Sequence, residues 1–320
     1  MYDYVIADVF TDTALEGNPL AVVPDAAGLS AECMQRIARE MNLSETTFVF
    51  PPVGGGDVRV RIFTPVGELP FAGHPTFGTA VVLAATGHPS VRDGGLRMET
   101  GMGVVPFRFT GCEPNNDGGL RERARCSDGM SASRCDDGME TGTGREPRAQ
   151  RAIAARMRQP IPVWEPYARA GELLAALGVR ESTLPVEVYR NGPRHAFVGL
   201  DSVEALSALR VDLRALAAHE DLAANCFAPT DDPLVWRARM FSPAYGVTED
   251  AGTGSAAGPL ALHLGRHGLV PLGGAITVRQ GVEMGRPSTI RAQVSMLGDR
   301  VERVEIAGSA VVVADGRLHI

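Results

Sequence analysis

Apolar and polar positions in the first third of the chain alternate with two different periods. Residues 3–10 and 19–24 are apolar or alternate with polar residues, and the turn residues Gly17, Asn18 and Pro19 lie between them, which predicts a β-hairpin. Residues 30–42 place apolar side chains at helical spacing behind Ser30, a suitable N-cap, so they predict an amphipathic helix. The nearly all-apolar run 75–86, which ends at Gly87, predicts a helix buried on every side. Strand-like runs occupy 46–50, 58–64, 96–100 and 104–110.

The second half of the chain shows the same kinds of segment. The pattern predicts helices at 169–177 and 203–217 and a second buried helix at 256–267. It predicts strands at 186–190, 195–199, 224–228 and 235–242, and a mostly extended chain over 275–320.

The two halves are related in sequence as well as in pattern. The pentapeptide Arg61–Pro65 (RIFTP) recurs as Arg239–Pro243 (RMFSP), 178 residues later. Each copy is followed by a Gly-rich turn and then by one of the two buried helices. A nearly constant offset over tens of residues indicates a duplicated domain, because the period is far too long for a solenoid repeat. A pseudo-two-fold relation between the copies would bring two Gly-rich helix N-termini to one cleft.

The composition between the copies predicts the domain boundaries. Residues 113–150 are rich in Gly, Asp, Glu, Arg and Ser, and such a segment buries too little apolar surface to offset its ordering entropy. We expect a mobile insertion at 113–150 between an N-terminal lobe at 1–112 and a C-terminal lobe at 151–300. The strands at 301–320 are expected to pair back onto the N-terminal lobe.

Composition and charge exclude several functions. The formal net charge is −7 with no basic tail, which argues against nucleic acid as a partner. No long uninterrupted apolar run predicts a membrane span, and the N-terminus lacks the pattern of a signal peptide, so a cytoplasmic location is expected.

Residue types also limit the cofactors. All 31 Lys and Arg residues are Arg, so neither a pyridoxal phosphate Schiff base nor a Walker A phosphate loop is available. The five Cys form no C-x-x-C pair or metal spacing, and no G-x-G-x-x-G follows a first strand. We therefore expect no cofactor and no metal.

Three side chains are candidates for acid–base chemistry. Glu45 precedes a buried strand, where desolvation would raise the pKa of its carboxyl; the plain alternative is a capping role on the surface. His74 lies at the start of the first buried helix, where the dipole favours the neutral ring; the alternative is a packed core histidine. Asp250 precedes the second Gly turn and would otherwise only satisfy backbone N–H groups there.

The two Gly turns predict an anion site. The backbone N–H groups of Gly73 and Gly254 lie at predicted helix N-termini, which favours a small carboxylate ligand. Ser255 either hydrogen-bonds such a ligand or caps the helix at 256–267.

Four motifs resemble the PhzF-like family, named for the phenazine-biosynthesis isomerase. They begin at Asn42 (NLSET), Gly73 (GHPT), Glu249 (EDAGTGSA) and Gln280 (QGVEMGRPS), and the resemblance spans the chain outside 113–150. It implies an α/β diaminopimelate epimerase-like fold, in which two similar lobes each wrap a curved sheet around a central buried helix. It also implies that Glu45 is the general acid/base and that His74 and Asp250 complete the catalytic set. Ser44 is a candidate for orienting Glu45, and the substrate-binding residues are expected to be Ser44, Gly73, Gly254 and Ser255.

The resemblance implies a cofactor-independent isomerase that moves a proton between carbons of a small cyclic amino or hydroxy acid. The type reaction is the isomerisation of trans-2,3-dihydro-3-hydroxyanthranilate, and a homodimer is implied as well. The insertion at 113–150 departs from the family pattern.

Three other functions are compatible with the sequence. One is a racemase or epimerase with Glu45 and Asp250 as opposed bases, although the two-thiol kind is disfavoured because neither Gly turn carries Cys. Another is an isomerase of alkyl-proline precursors, and the third is a non-catalytic ligand-binding protein of the same fold.

Overall fold

The computed structural model describes residues 1–110, 112–114, 120–122 and 152–320. Most of the predicted insertion 113–150 therefore lies outside the described residues, and its predicted mobility stays a prediction. The described chain contains six α-helices: α1 (Ala31–Met41), α2 (Gly73–Ala85), α3 (Ala170–Leu177), α4 (Val203–Ser207), α5 (Leu213–Ala217) and α6 (Gly254–Arg266).

The described strands are numbered along the chain. Those of the first half are β1 (Tyr2–Val9), β2 (Asn18–Val23), β3 (Thr46–Phe50), β4 (Val58–Phe63), β5 (Glu68–Leu69), β6 (Gly95–Thr100), β7 (Gly103–Thr110), β8 (Cys112–Pro114) and β9 (Leu120–Glu122). Those of the second half are β10 (Ile153–Gln159), β11 (Val163–Pro166), β12 (Glu187–Arg190), β13 (Arg194–Gly199), β14 (Ala223–Pro229), β15 (Val235–Ser242), β16 (Val247–Asp250), β17 (Ala275–Gln280), β18 (Ser288–Leu297) and β19 (Arg300–Leu318). The pair β8–β9 is a separate ribbon, and the other seventeen described strands belong to one sheet.

The strand pairings repeat in the two halves. In the first half, β2 runs parallel to β3, β3 antiparallel to β4, β4 parallel to β6, and β6 antiparallel to β7. In the second half, β13, β14, β15, β17 and β18 follow the same sequence of parallel and antiparallel pairs. Helices α2 and α6 occupy equivalent places, between β4 and β6 and between β15 and β17. The internal sequence repeat is thus a repeat of structure.

Two strands connect the halves. Strand β10 pairs with β7 of the first half, and the next strand, β11, pairs with β12 of the second. Strand β19 makes the reverse crossing, since it pairs with β18 through residues 300–307 and with β1 through residues 310–318. The two crossing strands also pair with each other, from Ile153 opposite Ala310 to Gln159 opposite Val304.

The hydrophobic core follows this arrangement. The main cluster of buried residues spans both halves and includes the apolar side chains of α2 and α6. A smaller cluster lies under α1 in the first half, and another lies under α3, α4 and α5 in the second. Helix α2 is buried from Gly73 to Ala84, as its uninterrupted apolar sequence predicts.

The predicted single helix at 203–217 is wrong. The chain forms α4 and α5 there because each has its own cap: Ser202 accepts the N–H of Ala205, and Asp212 accepts the N–H groups of Arg214 and Ala215. The short strands β5, β10, β11 and β16 lay outside the predicted runs. No helix in the described ranges is long and apolar enough to cross a membrane.

Candidate active site

The candidate site is the pocket where the N-termini of α2 and α6 meet. A Cβ added to Gly73 would overlap the backbone nitrogen of Ser255, so the two helices approach each other backbone to backbone. Neither helix has a side-chain cap: the N-cap residues Ala72 and Thr253 make no capping hydrogen bond. The first N–H groups of both helices are therefore available to an anion, as the two Gly turns predict.

The structure brings six of the seven predicted site residues to this pocket. Its lining includes Glu45, Gly73, His74, Asp250, Gly254 and Ser255. Ser44 does not line it and makes no hydrogen bond to Glu45 in the structure. The lining contains no Arg, so an anion there would depend on backbone N–H groups and neutral side chains for its hydrogen bonds.

Glu45 lies in the loop that joins α1 to β3. Helix α1 ends at Asn42, whose left-handed conformation turns the chain back towards the sheet. Burial raises the pKa of the Glu45 carboxyl well above its usual value, and the negative charge of Asp250 raises it further. A carboxyl whose pKa is raised holds a proton more readily than an exposed one, which suits a group that takes up and returns a proton.

His74 is the nearest titratable partner of Glu45. Its Nδ1 lies 3.3 Å from Glu45 Oε2, but the pair lacks the geometry of a hydrogen bond, and both Glu45 Oε2 and His74 Nε2 are buried without a partner among the described residues. Burial lowers the pKa of His74 to about 4, which outweighs the opposite effect of the Asp250 charge. The ring is therefore neutral at physiological pH, so one of its nitrogens donates a hydrogen bond and the other accepts one.

Asp250 is held by groups that sequence reasoning missed. Its Oδ1 accepts from the Asn18 amide at 2.8 Å, and its Oδ2 accepts from the Thr253 hydroxyl at 2.7 Å. The expected alternative, in which Asp250 bonds backbone N–H groups of its own turn, is replaced by these two side-chain donors. Asn18 is the first residue of β2 and is distant from Asp250 in sequence, so no local pattern pointed to it.

The motif that begins at Gln280 braces the second Gly turn. The Gln280 amide accepts the N–H of Thr253 at 3.1 Å and donates to the Asp250 carbonyl and the Thr253 hydroxyl, both at 2.8 Å. This side chain therefore fixes the loop that carries Asp250 instead of lining the pocket.

The start of α6 is held from two further directions. The Gln159 amide donates to the Gly254 carbonyl at 2.8 Å. The Ser255 carbonyl has no helical N–H partner because Pro259 stands four residues later, and the Asn191 amide donates to it at 2.9 Å instead. Ser255 is not the N-cap of α6, which is Thr253, and its hydroxyl contacts His195.

The described residues contain one group with the composition of a metal site, away from the pocket. Ligand atoms of Glu187, His263 and His267 lie within 4.8 Å of one another. The Glu187 carboxylate already accepts from Arg266 at 2.7 Å, and this cation takes the place that a metal ion would need. The group supports no metal proposal, and the absence of a required metal stays a prediction.

Comparisons with known proteins agree with this geometry. A sequence profile of the PhzC-PhzF family, described as phenazine biosynthesis-like protein, matches residues 7–316. The chain is 50% identical to a trans-2,3-dihydro-3-hydroxyanthranilate isomerase from Pseudomonas aeruginosa, with 100% of both chains covered.

Solved structures support the fold. A phenazine biosynthesis protein of the PhzF family from Bacillus anthracis matches with a TM-score of 0.76 at 23% identity, covering 100% of this chain and 99% of that one. A probable proline racemase from Agrobacterium radiobacter matches with a TM-score of 0.61 at 10% identity, covering 100% and 93%. The predicted α/β diaminopimelate epimerase-like fold is confirmed.

Proposed function

This chain belongs to the PhzC-PhzF family of phenazine biosynthesis-like proteins, and we infer that it is an isomerase whose substrate is trans-2,3-dihydro-3-hydroxyanthranilate. The observation that carries this inference is the full-length identity of 50% with an isomerase of that name. The pocket supplies what such a reaction needs, namely one buried carboxyl with a raised pKa opposite an anion-binding pair of helix N-termini.

Glu45 is proposed as the group that moves the proton. The carboxylate removes a proton from a ring carbon and becomes a carboxylic acid; the ring double bonds shift, and the same proton returns to another carbon of the ring. The resulting enol then becomes the ketone, because its hydroxyl loses a proton to water and a ring carbon takes up a proton from water. No electrons leave the substrate, so the reaction needs no redox cofactor.

The rest of the pocket is proposed to hold the substrate. The carboxylate would accept from the N–H groups at the starts of α2 and α6, where the helix dipoles favour negative charge. His74 and Asp250 would bind the amino and hydroxyl substituents. Asp250 is suited to this role because Asn18 and Thr253 fix its orientation.

A racemase that uses two opposed bases fits the pocket less well. Glu45 Oε2 has no hydrogen-bond partner among the described residues, whereas both carboxylate oxygens of Asp250 accept hydrogen bonds from neighbouring side chains. The two carboxyls therefore have different surroundings, which favours different roles.

The proposed context is the biosynthesis of phenazine-type antibiotics in the cytoplasm. We also propose a homodimer as the functional form, on the family resemblance. Size-exclusion chromatography with light scattering would test the oligomeric state directly.

The test of the function is incubation of the protein with the proposed substrate in heavy water, followed by mass spectrometry. Wild-type protein should form the ketone. At the ring carbon that receives its proton from Glu45, it should incorporate less than one full deuterium, because a shielded carboxylic acid exchanges slowly with solvent. Glu45→Gln should lower the rate about 10²–10⁴-fold, since an amide cannot take up the proton.

The control in this experiment is Asp250→Asn, which should weaken substrate binding as well as rate. Equal rate losses in both variants with complete solvent incorporation would favour two bases. No turnover of this substrate by the wild-type protein would refute the proposed function.

A further inference from the structure

Three buried polar side chains form a chain of contacts that begins at the wall of the pocket and leads away from it. Ser255 on α6, His195 on β13 and Asn225 on β14 are each at most 4% exposed. His195 Nε2 lies 3.1 Å from Ser255 Oγ, and His195 Nδ1 lies 3.3 Å from Asn225 Nδ2. Ser255 and His195 line the pocket, whereas Asn225 does not.

The orientation of the Asn225 amide fixes the direction of these hydrogen bonds. Asn225 Nδ2 donates to the carbonyl of Ala223 at 3.0 Å, so the amino end of the amide, and not its oxygen, faces this carbonyl and His195. An amino group only donates, and His195 Nδ1 must therefore be an acceptor without a proton.

His195 is neutral, so it carries one ring proton. Burial lowers its pKa to about 3, and no acidic residue is among the causes of the shift. Because Nδ1 accepts from Asn225, the single proton is on Nε2, which donates to Ser255 Oγ.

The hydroxyl proton of Ser255 is left to point elsewhere. Within the described ranges this hydroxyl donates to no protein acceptor. The Ser255 main chain cannot move away either, because Asn191 holds its carbonyl. Ser255 lines the pocket, and its main chain lies against Gly73 where the N-termini of α2 and α6 meet.

We propose that His195 and Asn225 are positioning residues that fix the Ser255 hydroxyl as a hydrogen-bond donor to the substrate carboxylate. A carboxylate only accepts, so it matches a hydroxyl whose own lone pair is already occupied by the His195 N–H. This inference rests on the proposed function only for the identity of the carboxylate ligand.

The first test reads the ring proton directly and needs no substrate. Long-range ¹H–¹⁵N spectra at neutral pH should show His195 as the neutral Nε2–H tautomer, with its signals identified by their absence in His195→Gln among the seven histidines. A neutral Nδ1–H tautomer or an imidazolium would overturn the proposal.

The second test measures binding of anthranilate, an aromatic amino acid with the carboxylate of the proposed substrate, by calorimetry. Ser255→Ala should weaken binding roughly tenfold to a hundredfold, the range for a hydrogen bond to a charged group. His195→Leu should weaken it by a smaller factor, and His195→Gln, which keeps an N–H donor, should restore part of the loss.

The decisive comparison is the double variant. If His195 acts through Ser255, His195→Leu should cause no further loss of affinity in the Ser255→Ala background, whereas a purely structural role predicts equal losses in both backgrounds. Equal losses, or unchanged anthranilate binding by Ser255→Ala, would overturn the proposal. So would the absence of anthranilate binding to the wild-type protein.

The two proposals fail separately. Wild-type protein that binds anthranilate with these dependences but does not convert the dihydro substrate would refute the proposed function alone. Normal turnover with an Nδ1–H tautomer of His195 would refute the positioning role alone.

Discussion

At the residue scale, two carboxyls in one pocket have different surroundings. Asp250 has a hydrogen-bond donor on each oxygen, from Asn18 and Thr253. Glu45 is buried, and its Oε2 has no hydrogen-bond partner among the described residues. The difference favours the different roles proposed for them, since an unpaired carboxyl accepts a proton more readily than one whose oxygens are both engaged.

Glu45→Gln should make the protein more stable at alkaline pH. The pKa of Glu45 is raised in the folded state, so the folded protein binds the carboxyl proton more tightly than the unfolded chain does. The free energy of unfolding therefore falls as pH rises from the unfolded-state pKa towards the folded-state pKa of this group. An amide avoids the cost of the buried charge, so we expect a gain in the free energy of unfolding at pH 8 that disappears at pH 4, where the wild-type carboxyl is protonated as well. Urea unfolding at both values measures it, with the exposed Glu302→Gln as the control. A variant less stable than wild type at pH 8 would contradict the raised pKa.

Asp250→Asn should move the acid side of the pH–rate profile. The charge of Asp250 is the second cause of the raised Glu45 pKa, after burial. In the proposed mechanism catalysis begins with the Glu45 carboxylate, so activity should rise as this group ionises, and removal of the Asp250 charge should shift that rise to lower pH. The exposed Asp201→Asn variant should keep the wild-type profile. A shift to higher pH would show that Asp250 does not act on Glu45 through its charge.

The sequence identified some of these residues and missed others for a physical reason. Glu45, His74 and Asp250 occur in short motifs beside predicted elements. Asn18, His195 and Asn225 act through contacts between segments that are far apart in sequence. Their residue types are common in turns and strands, and only the folded chain brings Asn18 to Asp250, His195 to Ser255 and Asn225 to His195.

At the element scale, the two central helices place the site. Both begin without a side-chain cap, and both are buried over nearly their whole length. Uninterrupted apolar sequence predicted them correctly, because a helix enclosed by sheet on all sides needs no polar face. The region 203–217 has the same helical spacing, but Asp212 interrupts it with a competing cap.

Gly73→Ala should disrupt the junction of these helices. The added methyl group would overlap the backbone nitrogen of Ser255, which cannot rotate away as a side chain can. We expect the free energy of unfolding to fall by about 1–3 kcal/mol, together with a loss of activity. Thermal unfolding and the isomerase assay measure the two effects.

The matched control is Gly171→Ala in the first turn of α3, where an added Cβ meets nothing within 4 Å. This variant should be as stable as wild type or more so, because Ala favours helix. A fully active and stable Gly73→Ala protein would show that the two helix N-termini are not in close contact.

At the scale of the whole molecule, the crossing strands β10 and β19 join the halves into one sheet. The repeat in the sequence predicted two similar halves. It did not predict the crossing of β10, because the partner of a strand depends on register between segments more than a hundred residues apart, whereas residues 301–320 were expected to pair back onto the N-terminal lobe. The proposed division at 112, 150 and 300 stays a prediction, and the pairing of β19 with both β18 and β1 shows how closely the parts are connected.

The protein should therefore unfold in one cooperative transition. Trp164 and Trp236 both lie in the second half, so their fluorescence reports on that half, whereas far-ultraviolet circular dichroism reports on all of the secondary structure. The two signals should change together in urea, since β10 and β19 cannot leave one half without disrupting the other. Two separate calorimetric transitions would contradict this expectation.

The pairing of β1 with β19 also brings residues 1 and 320 together. Tyr2 lies opposite Leu318, and the amino group of Met1 donates to the carbonyl of Ile320 at 3.3 Å. Residues 1 and 320 thus lie side by side, and a few linking residues between them would turn this strand pair into a hairpin. A circular permutant opened between residues 122 and 152 would reverse the order of the two halves in the gene and leave every strand of the sheet with its present neighbours.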